Sequence, residues 1–403
     1  MARISRVHRI GQLFMFNEAV TASHRWLRWK QRQMHMRFEA MNNYVAKSGR
    51  QVTGGLKRIA MLIALGISLS GCVAADMALE DVSRAPPQIS NKMLAEMSKK
   101  GMKVESPVLV RIFKQESELE IWKTDKSGRY ALLKTYPMCR WSGKLGPKMK
   151  NGDRQAPEGF YHVSAGMLNP KSQYYLSFNL GYPNRLESAL GYTGEALMVH
   201  GACSSSGCYA LTDQGVGEIY AIVAKALSSG QSRFQVQAYP FRMTAENMAL
   251  HRGDENMPFW RTLKEGYDAF EITRQQPKVS VCGRRYVFNS EFEGGEPSDP
   301  LAACPVATNQ PDAQLMSRIQ AEKKKVDLAM AEASSTAVTA YVDGGMHPSF
   351  RQLLKRDGPE KLASRISGIK YPVSRPEAAL ADPFKGMTKR SGAGTMADTS
   401  VED

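Results

Sequence analysis

The distribution of apolar and polar residues along the chain predicts a domain built mainly of strands. Stretches that alternate, or are rich in β-branched and aromatic residues, predict strands at 108–113, 118–124, 129–136, 159–164, 174–178, 196–200 and 234–239, with a closing hairpin at 279–282 and 285–288. Helical spacing is clearest at Val216, Ile219 and Val223, after the start signal Thr212-Asp213. Residues 246–274 and 312–333 also favour helix.

A short apolar segment near the N-terminus has the parts of an export signal. Lys57 and Arg58 precede the apolar residues 59–70, and Gly71 and Cys72 follow them. The segment is too short to span a bilayer. Its end, Leu-Ser-Gly-Cys, resembles a bacterial lipobox, in which the cysteine is acylated and becomes the new N-terminus. We therefore expect a lipid anchor at Cys72; a buried helix beside an ordinary cysteine is the alternative.

The residues before this signal are too many for its basic segment. Met41 would give a conventional signal, so we interpret residues 1–72 as a start placed too early plus a lipoprotein signal peptide. A genuine basic arm is the alternative. Val73 stands after Cys72 where an Asp would be a retention signal. By resemblance to the sorting of such lipoproteins, this implies a periplasmic, lipid-anchored protein at the outer membrane.

The net charge of +15 does not indicate a nucleic-acid partner. Residues 1–72 contain 12 Lys and Arg against two acids, and the rest of the chain has a net charge of only +5 without a basic stripe. No run of about 20 apolar residues occurs, which excludes a polytopic membrane protein. Hydrophobic residues make up 42% of the chain, enough for a sizeable core.

Composition divides the exported part of the chain into four segments. We expect a polar tether at 73–105, a catalytic domain at 106–245, and accessory helices with a hairpin at 246–305. Residues 306–403 are expected to be helical first and then disordered, because Ala, Ser, Gly, Pro and basic residues dominate beyond Ser334.

The segment from Met198 to Thr212 has the composition of a cysteine-based active site. It places His200 at the end of a strand and Cys208 after a loop of small residues. A thiol needs a neighbouring base to become a nucleophile near neutral pH. Backbone N–H groups of Ser206, Gly207 and Cys208 would converge on a developing oxyanion. The pattern predicts nucleophilic catalysis.

Residues 106–290 resemble the L,D-transpeptidase (YkuD-domain) family, most closely its YafK-type branch. The family signature is His-Gly, a spacer, and then Ser-His-Gly-Cys followed by an apolar residue and Arg. The chain has His200-Gly201 and Ser205-Ser206-Gly207-Cys208. Further likenesses lie at 139–148, 156–161, 181–184, 239–244, 247–248, 259–260 and 266–271.

The resemblance implies a mainly β fold with α elements, a YkuD-like mixed β-sandwich with a packed helix. It implies that Cys208 is the nucleophile, that His200 is the general base and acid, and that the Gly201 carbonyl orients His200. The substrate would be a meso-diaminopimelate-containing peptidoglycan stem peptide, acylating Cys208 as a thioester. An amine acceptor would give a cross-link or an attached lipoprotein; water would release wall-linked lipoprotein. A non-enzymatic wall-binding lipoprotein is a third reading. No metal or organic cofactor is implied.

Two positions depart from the wider signature. Ser206 stands where the second His is expected, and Ala210 stands where Arg is expected. Both departures are shared by the YafK type. The substrate carboxylate must then be held by another cation, and Arg154 and Arg242 are candidates.

Six cysteines leave four for disulfides once Cys72 and Cys208 are set aside. Cys282 and Cys304 flank a 21-residue loop and are expected to pair, which leaves Cys139 for Cys203. Four cysteines allow three connectivities, so other pairings stay open.

Two rival interpretations concern the same loop. His200, Cys203 and Cys208 could belong to a structural zinc site, but further ligands at short spacing are missing. A Cys203–Cys208 disulfide is the other rival, because an exported protein meets oxidising conditions.

Overall fold

Two mixed five-stranded sheets form the framework of the part of the chain that the computed structural model describes, which is residues 87–309, 312–333, 338–339, 344–366 and 389–390. The strands are β1 (Val108–Phe113), β2 (Glu118–Thr124), β3 (Tyr130–Pro137), β4 (Arg140–Trp141), β5 (Gly159–Ser164), β6 (Leu168–Asn169), β7 (Ser177–Asn179), β8 (Met198–His200), β9 (Tyr209–Ala210), β10 (Arg233–Tyr239), β11 (Val279–Cys282), β12 (Arg285–Phe288), β13 (Val338–Thr339) and β14 (Lys389–Arg390). The helices are α1 (Asn91–Lys99), α2 (Arg185–Ala189), α3 (Asp213–Ser228), α4 (Ala245–Leu250), α5 (Met257–Thr273), α6 (Ala313–Glu332) and α7 (Pro348–Ile366), the last interrupted at Gly358.

Each large sheet contains one parallel pair among antiparallel neighbours. The first has the order β3-β2-β1-β10-β5, with β1 and β10 parallel. The second has the order β4-β9-β8-β7-β6, with β8 and β9 parallel. Two small antiparallel pairs, β11 with β12 and β13 with β14, stand outside these sheets.

The main core lies between the two sheets and includes one face of α3. The rings of Phe178 in β7 and Phe234 in β10 meet edge-on at 5.5 Å and join the sheets. Val216, Ile219 and Val223 of α3 are fully buried in the same cluster. The predicted fold class, a mixed β-sandwich with a packed helix, is therefore confirmed.

The opposite face of the first sheet is covered by α5, which places residues 246–305 in the body of the domain. Trp260 and Leu263 are fully buried there in a second cluster. A Cβ atom on Gly266 would lie 2.5 Å from the rings of Phe160 and Phe288, so the helix approaches the sheet as closely as a glycine allows. The segment predicted as accessory thus shares a core with the sheet.

The expectation of a polar tether at 73–105 is wrong for its second half. Helix α1 begins after Ser90, whose hydroxyl accepts the Met93 N–H. Met93, Met97 and Met102 are buried in the main core. The apolar positions of one helical turn are enough to dock this short helix, although the surrounding sequence is polar.

The expectation of disorder beyond Ser334 is also wrong for residues 344–366, which we call the C-terminal strap. Gly345 pairs with Trp141 of β4 in an antiparallel bridge. Met346, Phe350 and Leu362 are buried against Cys139 and Cys203. The strap adds backbone hydrogen bonds and apolar contacts to an edge strand, which outweigh its polar composition.

Several sequence-based expectations fall outside the described residues. These are the signal at 1–72 with its lipidated Cys72, the first part of the tether, and most of the tail beyond the strap. Among the helices that the structure describes, none combines the length and apolar character needed to cross a membrane.

Candidate active site

The parallel pairing of β8 and β9 sets the spacing between the two predicted catalytic residues. His200 ends β8 and is in register with Ala210 of β9, so Cys208 lies immediately before its neighbouring strand. The intervening loop is closed by the Leu211 N–H, which donates to the His200 carbonyl at 2.8 Å. Cys208 therefore stands two positions before the residue opposite His200, and the alternation of side chains along a strand puts His200 and Cys208 on the same face of the sheet.

The His200 imidazole is buried and held in one tautomer. Its Nδ1 lies 2.6 Å from the Gly201 carbonyl oxygen, which can only accept a hydrogen bond, so Nδ1 carries the proton and Nε2 is the basic nitrogen. The Tyr174 ring packs against the imidazole at 4.7 Å. Burial lowers the pKa of His200 to about 4, against an opposing contribution from the Gly201 carbonyl. At neutral pH the imidazole is therefore an uncharged base.

Gly201 occupies a position where no side chain fits. A Cβ atom there would lie 2.7 Å from Asp213 Oδ1 and 2.9 Å from the Tyr174 carbonyl oxygen. The Gly201 N–H donates to that same carbonyl, and the Ala202 N–H donates to Asp213 Oδ1 at 2.9 Å. The first turn of α3 therefore holds the loop in place, with Gly201 oriented toward His200 as the family resemblance implies.

Cys208 is half-buried and is the free cysteine among the five that the structure describes. Its Sγ accepts the Met198 N–H at 3.4 Å and lies 3.9 Å from the Ala196 carbonyl oxygen. Burial raises the pKa of the thiol, while the Met198 N–H and the Lys148 ammonium lower it. The thiol is protonated at rest and needs a base to react.

The backbone donors expected for an oxyanion are engaged by a neighbouring hydroxyl. The Gly207 and Cys208 N–H groups point at Ser205 Oγ, at 3.4 and 3.1 Å. Ser205 Oγ in turn donates to the Cys208 carbonyl at 2.7 Å. The Ser206 side chain is exposed. The Gly207 donor is therefore turned away from the position predicted for it, because Ser205 completes a local turn.

The two arginines proposed as carboxylate anchors have different surroundings. Arg242 forms ion pairs with Glu118 and Glu120, and its guanidinium lies 4.3 Å from the centre of the Phe113 ring. Its charge is compensated by these carboxylates, which disfavours it as an anchor for a substrate carboxylate, and its role in binding stays a prediction. Arg154 lies exposed on the loop before β5, next to Gln155, and stays a candidate.

The disulfides have the pairing expected from the sequence. Cys139 pairs with Cys203, with Cα atoms 5.4 Å apart, and Cys282 pairs with Cys304, with Cα atoms 4.9 Å apart. This arrangement excludes a Cys203–Cys208 disulfide in the structure. Within the described residues no group of three or more His, Cys, Asp and Glu side chains has the arrangement of a metal site.

Four neighbours of the site were not identified from the sequence. Tyr174 packs on His200, and Asp213 holds the loop after it. Ser205 binds the N–H groups of Gly207 and Cys208, and the Lys148 ammonium lowers the pKa of the thiol. Ser205 and Asp213 lie within or next to the motif itself, so their polar side chains were a usable signal. Tyr174 and Lys148 come from distant loops and had none.

The chain is similar to a bacterial protein assigned by name to the L,D-transpeptidases. YafK of Escherichia coli strain K12 is 49% identical over 182 residues, which cover 45% of this chain and 74% of that protein. YafK of Escherichia coli O157:H7 gives the same values. No family model matches the chain.

Two solved structures have remote similarity. The helical cell shape determining protein Pgp2 of Campylobacter jejuni is 16% identical, covering 61% of this chain and 80% of that chain, with a TM-score of 0.28. Bd1075 of Bdellovibrio bacteriovorus is 13% identical, covering 48% of this chain and 80% of that chain, with a TM-score of 0.25. Similarity at this level carries no argument about function.

Proposed function

The chain belongs to the L,D-transpeptidase family, in its YafK-type branch, and we propose that it is a cysteine-dependent acyl-transfer enzyme. The substrate is a peptidoglycan stem peptide that contains meso-diaminopimelate. The observation that carries this proposal is a free, half-buried thiol at Cys208, immediately before the strand that pairs with that of His200, a neutral imidazole whose Nδ1–H is fixed by the Gly201 carbonyl. A fixed tautomer leaves Nε2 as the nitrogen that takes the thiol proton.

The reaction runs in two halves through a thioester. His200 Nε2 takes the proton from Cys208 Sγ as the sulfur attacks the carbonyl carbon of the stem peptide. The tetrahedral intermediate collapses when the carbon–nitrogen bond breaks and the imidazolium returns its proton to the leaving amine. An acceptor amine or water then attacks the thioester, gives its proton to Nε2, and releases the Cys208 thiol.

The identity of the acceptor separates two activities. With an amine acceptor the product is a cross-link or an attached lipoprotein. With water the product is a cleaved bond, and a wall-linked lipoprotein is released. The hydrolytic alternative is favoured by Ala210, which is fully buried and in register with His200 where the wider family has Arg. A site without that cation offers less to position an acceptor stem peptide.

Two incubations distinguish the activities. Purified protein is mixed with disaccharide tetrapeptide in one, and with a lipoprotein-linked muropeptide in the other. A cross-linked dimer from the first supports transfer, and free lipoprotein from the second without any dimer supports hydrolysis. Cys208→Ala should abolish both products, while Ser206→Ala, which changes an exposed neighbour, should retain them. Turnover by Cys208→Ala would contradict the proposal, and wall binding without turnover by the wild type would support the non-enzymatic reading.

We further propose that the protein is anchored by lipid at Cys72 and faces the periplasm, at the outer membrane. The lipobox-like sequence at 69–72 supports this location. Fatty-acid labelling of cells should mark the wild type and not Cys72→Ser. Equal labelling of the two would contradict the anchor.

A further inference from the structure

A loop between β4 and β5 is folded around an ion pair between a buried lysine, Lys148, and the more exposed Asp153. The Asp153 carboxylate accepts the N–H groups of Met149, Lys150 and Gln155 at 2.9 to 3.0 Å. The same carboxylate pairs with Lys148, whose side chain is only 4% exposed. Lys148 Nζ also donates to the Lys150 carbonyl at 2.8 Å. These partners therefore fix the position of the Lys148 ammonium group.

The aliphatic part of the Lys148 side chain packs against residues 193–196, the segment that lies on one side of Cys208. A Cβ atom on Gly194 would lie 2.8 Å from Lys148 Cε. Two residues later, the Ala196 carbonyl oxygen lies 3.9 Å from Cys208 Sγ. The Thr193 N–H donates to the Met149 carbonyl at 3.0 Å, which ties this segment to the loop.

The end of the same loop flanks the thiol on the other side. Gln155, whose N–H is held by Asp153, places its carbonyl oxygen 3.7 Å from the position of a Cβ atom on Gly207. Gly207 immediately precedes Cys208. Lys148 thus contacts one of the segments that border the nucleophile directly and is linked to the other through Asp153.

We propose that Lys148 is a positioning residue for the nucleophile: a fixed ammonium, oriented by Asp153, that stabilises the Cys208 thiolate as it forms. This inference deepens the proposed function, since it assigns an electrostatic partner to the same thiol. A cation held at a buried site acts through a low dielectric and favours an anion nearby. This stabilisation of the thiolate agrees with the direction of the pKa shift, since the Lys148 ammonium lowers the pKa of Cys208.

The other titratable groups facing this pair leave Lys148 as the main cation. Asp153 opposes it from the same loop, and His200 lies on β8, the strand that pairs with the one after Cys208. The Tyr182 ring lies 5.9 Å from Lys148 Nζ, and burial raises the pKa of that phenol, so it stays neutral. His200 is neutral at the pH of the experiment because burial lowers its pKa to about 4.

The test measures alkylation of Cys208 by iodoacetamide between about pH 7 and pH 10.5, with the modified residue located by peptide mapping. Lys148→Met should move the midpoint of the rate profile upward by about one pH unit, which is about a tenfold loss of rate at fixed pH. Lys148→Arg should retain the charge and most of the rate. Lys150→Met is the matched control, because it removes an exposed lysine from the same loop; it should leave the profile unchanged.

A second variant has the opposite expected sign. Asp153→Asn keeps an acceptor for the backbone but removes the opposing charge, so the midpoint should move downward. Equal profiles for Lys148→Met and Lys150→Met, or an upward shift in Asp153→Asn, would overturn the inference. If Lys148→Met does not fold, Lys148→Gln measured against Lys150→Gln decides the matter. The assay contains no peptidoglycan, so its result stands apart from whether the proposed substrate is correct.

Discussion

Removing the Cys139–Cys203 disulfide should abolish activity, whereas removing the Cys282–Cys304 disulfide should only lower stability. Cys203 is in the loop between His200 and Cys208, and its partner Cys139 precedes β4, which pairs with the strand after Cys208. Cys282 and Cys304 join the hairpin β11–β12 to the segment after it. The perturbation we propose is a pair of double variants, Cys139→Ala with Cys203→Ala and Cys282→Ala with Cys304→Ala.

The two double variants should lose similar free energies of unfolding. The bridged residues are separated by 64 positions in one case and 22 in the other. Loop-closure entropy in the unfolded chain then gives about 4 kcal/mol for the first bridge and about 3 kcal/mol for the second. The difference is small because this entropy grows only with the logarithm of loop length.

The two double variants should differ in activity, because of the two disulfides only Cys139–Cys203 reaches the catalytic loop. Ala202 and Cys203 both have left-handed backbone conformations, with φ of 59° and 49°, which cost energy unless the surroundings impose them. Without the bridge this turn relaxes and His200 and Cys208 lose their alignment. Urea denaturation gives the two stability losses, and muropeptide turnover, measured where both variants are folded, gives the activities. Equal activity losses, or full activity of the Cys139/Cys203 variant, would refute the reasoning.

Three further changes have defined outcomes. Gly201→Ala should lower turnover at least about tenfold and stability by about 1–3 kcal/mol, because the new methyl group would clash with Asp213 and with the backbone. The control is Gly166→Ala, where nothing lies within 4 Å of the new methyl group, measured by the same turnover and urea denaturation assays. Burial lowers the pKa of His200 to about 4, so this residue's contribution to stability is complete above about pH 6.5 and falls toward pH 4 by on the order of 1–3 kcal/mol. Because His251, Glu187 and Asp268 also have shifted pKa values, the measurement is the difference in urea midpoint between the wild type and His200→Gln, and a difference that stays constant over this range would contradict the expectation. Phe350→Ala should cost about 2–4 kcal/mol in urea denaturation if the C-terminal strap is part of the fold, and a wild-type midpoint would contradict that.

The strands and long helices could be predicted because each carries its own pattern. β1, β2 and β5 match the predicted ranges, α3 begins at its predicted start signal, and α6 lies within one residue of its predicted range. β4, β6 and β9 contain two residues each and have no periodicity to detect. Their existence depends on neighbours that only the folded chain supplies, as in the pairing of Trp141 with Tyr209.

The site divides in the same way between local and distant residues. His200 and Cys208 lie in one short motif whose residue types predict nucleophilic catalysis. Arg242 was a candidate because it is a cation near the matched segment, but the carboxylates that engage it come from β2, more than a hundred positions earlier. Lys148 was overlooked because no feature of its neighbouring sequence indicates that this lysine is buried in the folded chain near the site.

The charges at rest indicate how the nucleophile is activated. Burial lowers the pKa of His200 to about 4 and raises that of Cys208 above its ordinary value of 9.0. Each shift by itself works against moving the proton from sulfur to nitrogen in the absence of substrate. A stable thiolate–imidazolium pair is disfavoured, and the proton leaves Sγ as the carbon–sulfur bond forms and charge passes to the substrate oxygen. A substrate attacked at its carbonyl carbon thus takes part in activating Cys208. Iodoacetamide is attacked at its iodomethyl carbon, so its reaction depends on the groups that lower the pKa of the thiol, the Met198 N–H and the Lys148 ammonium.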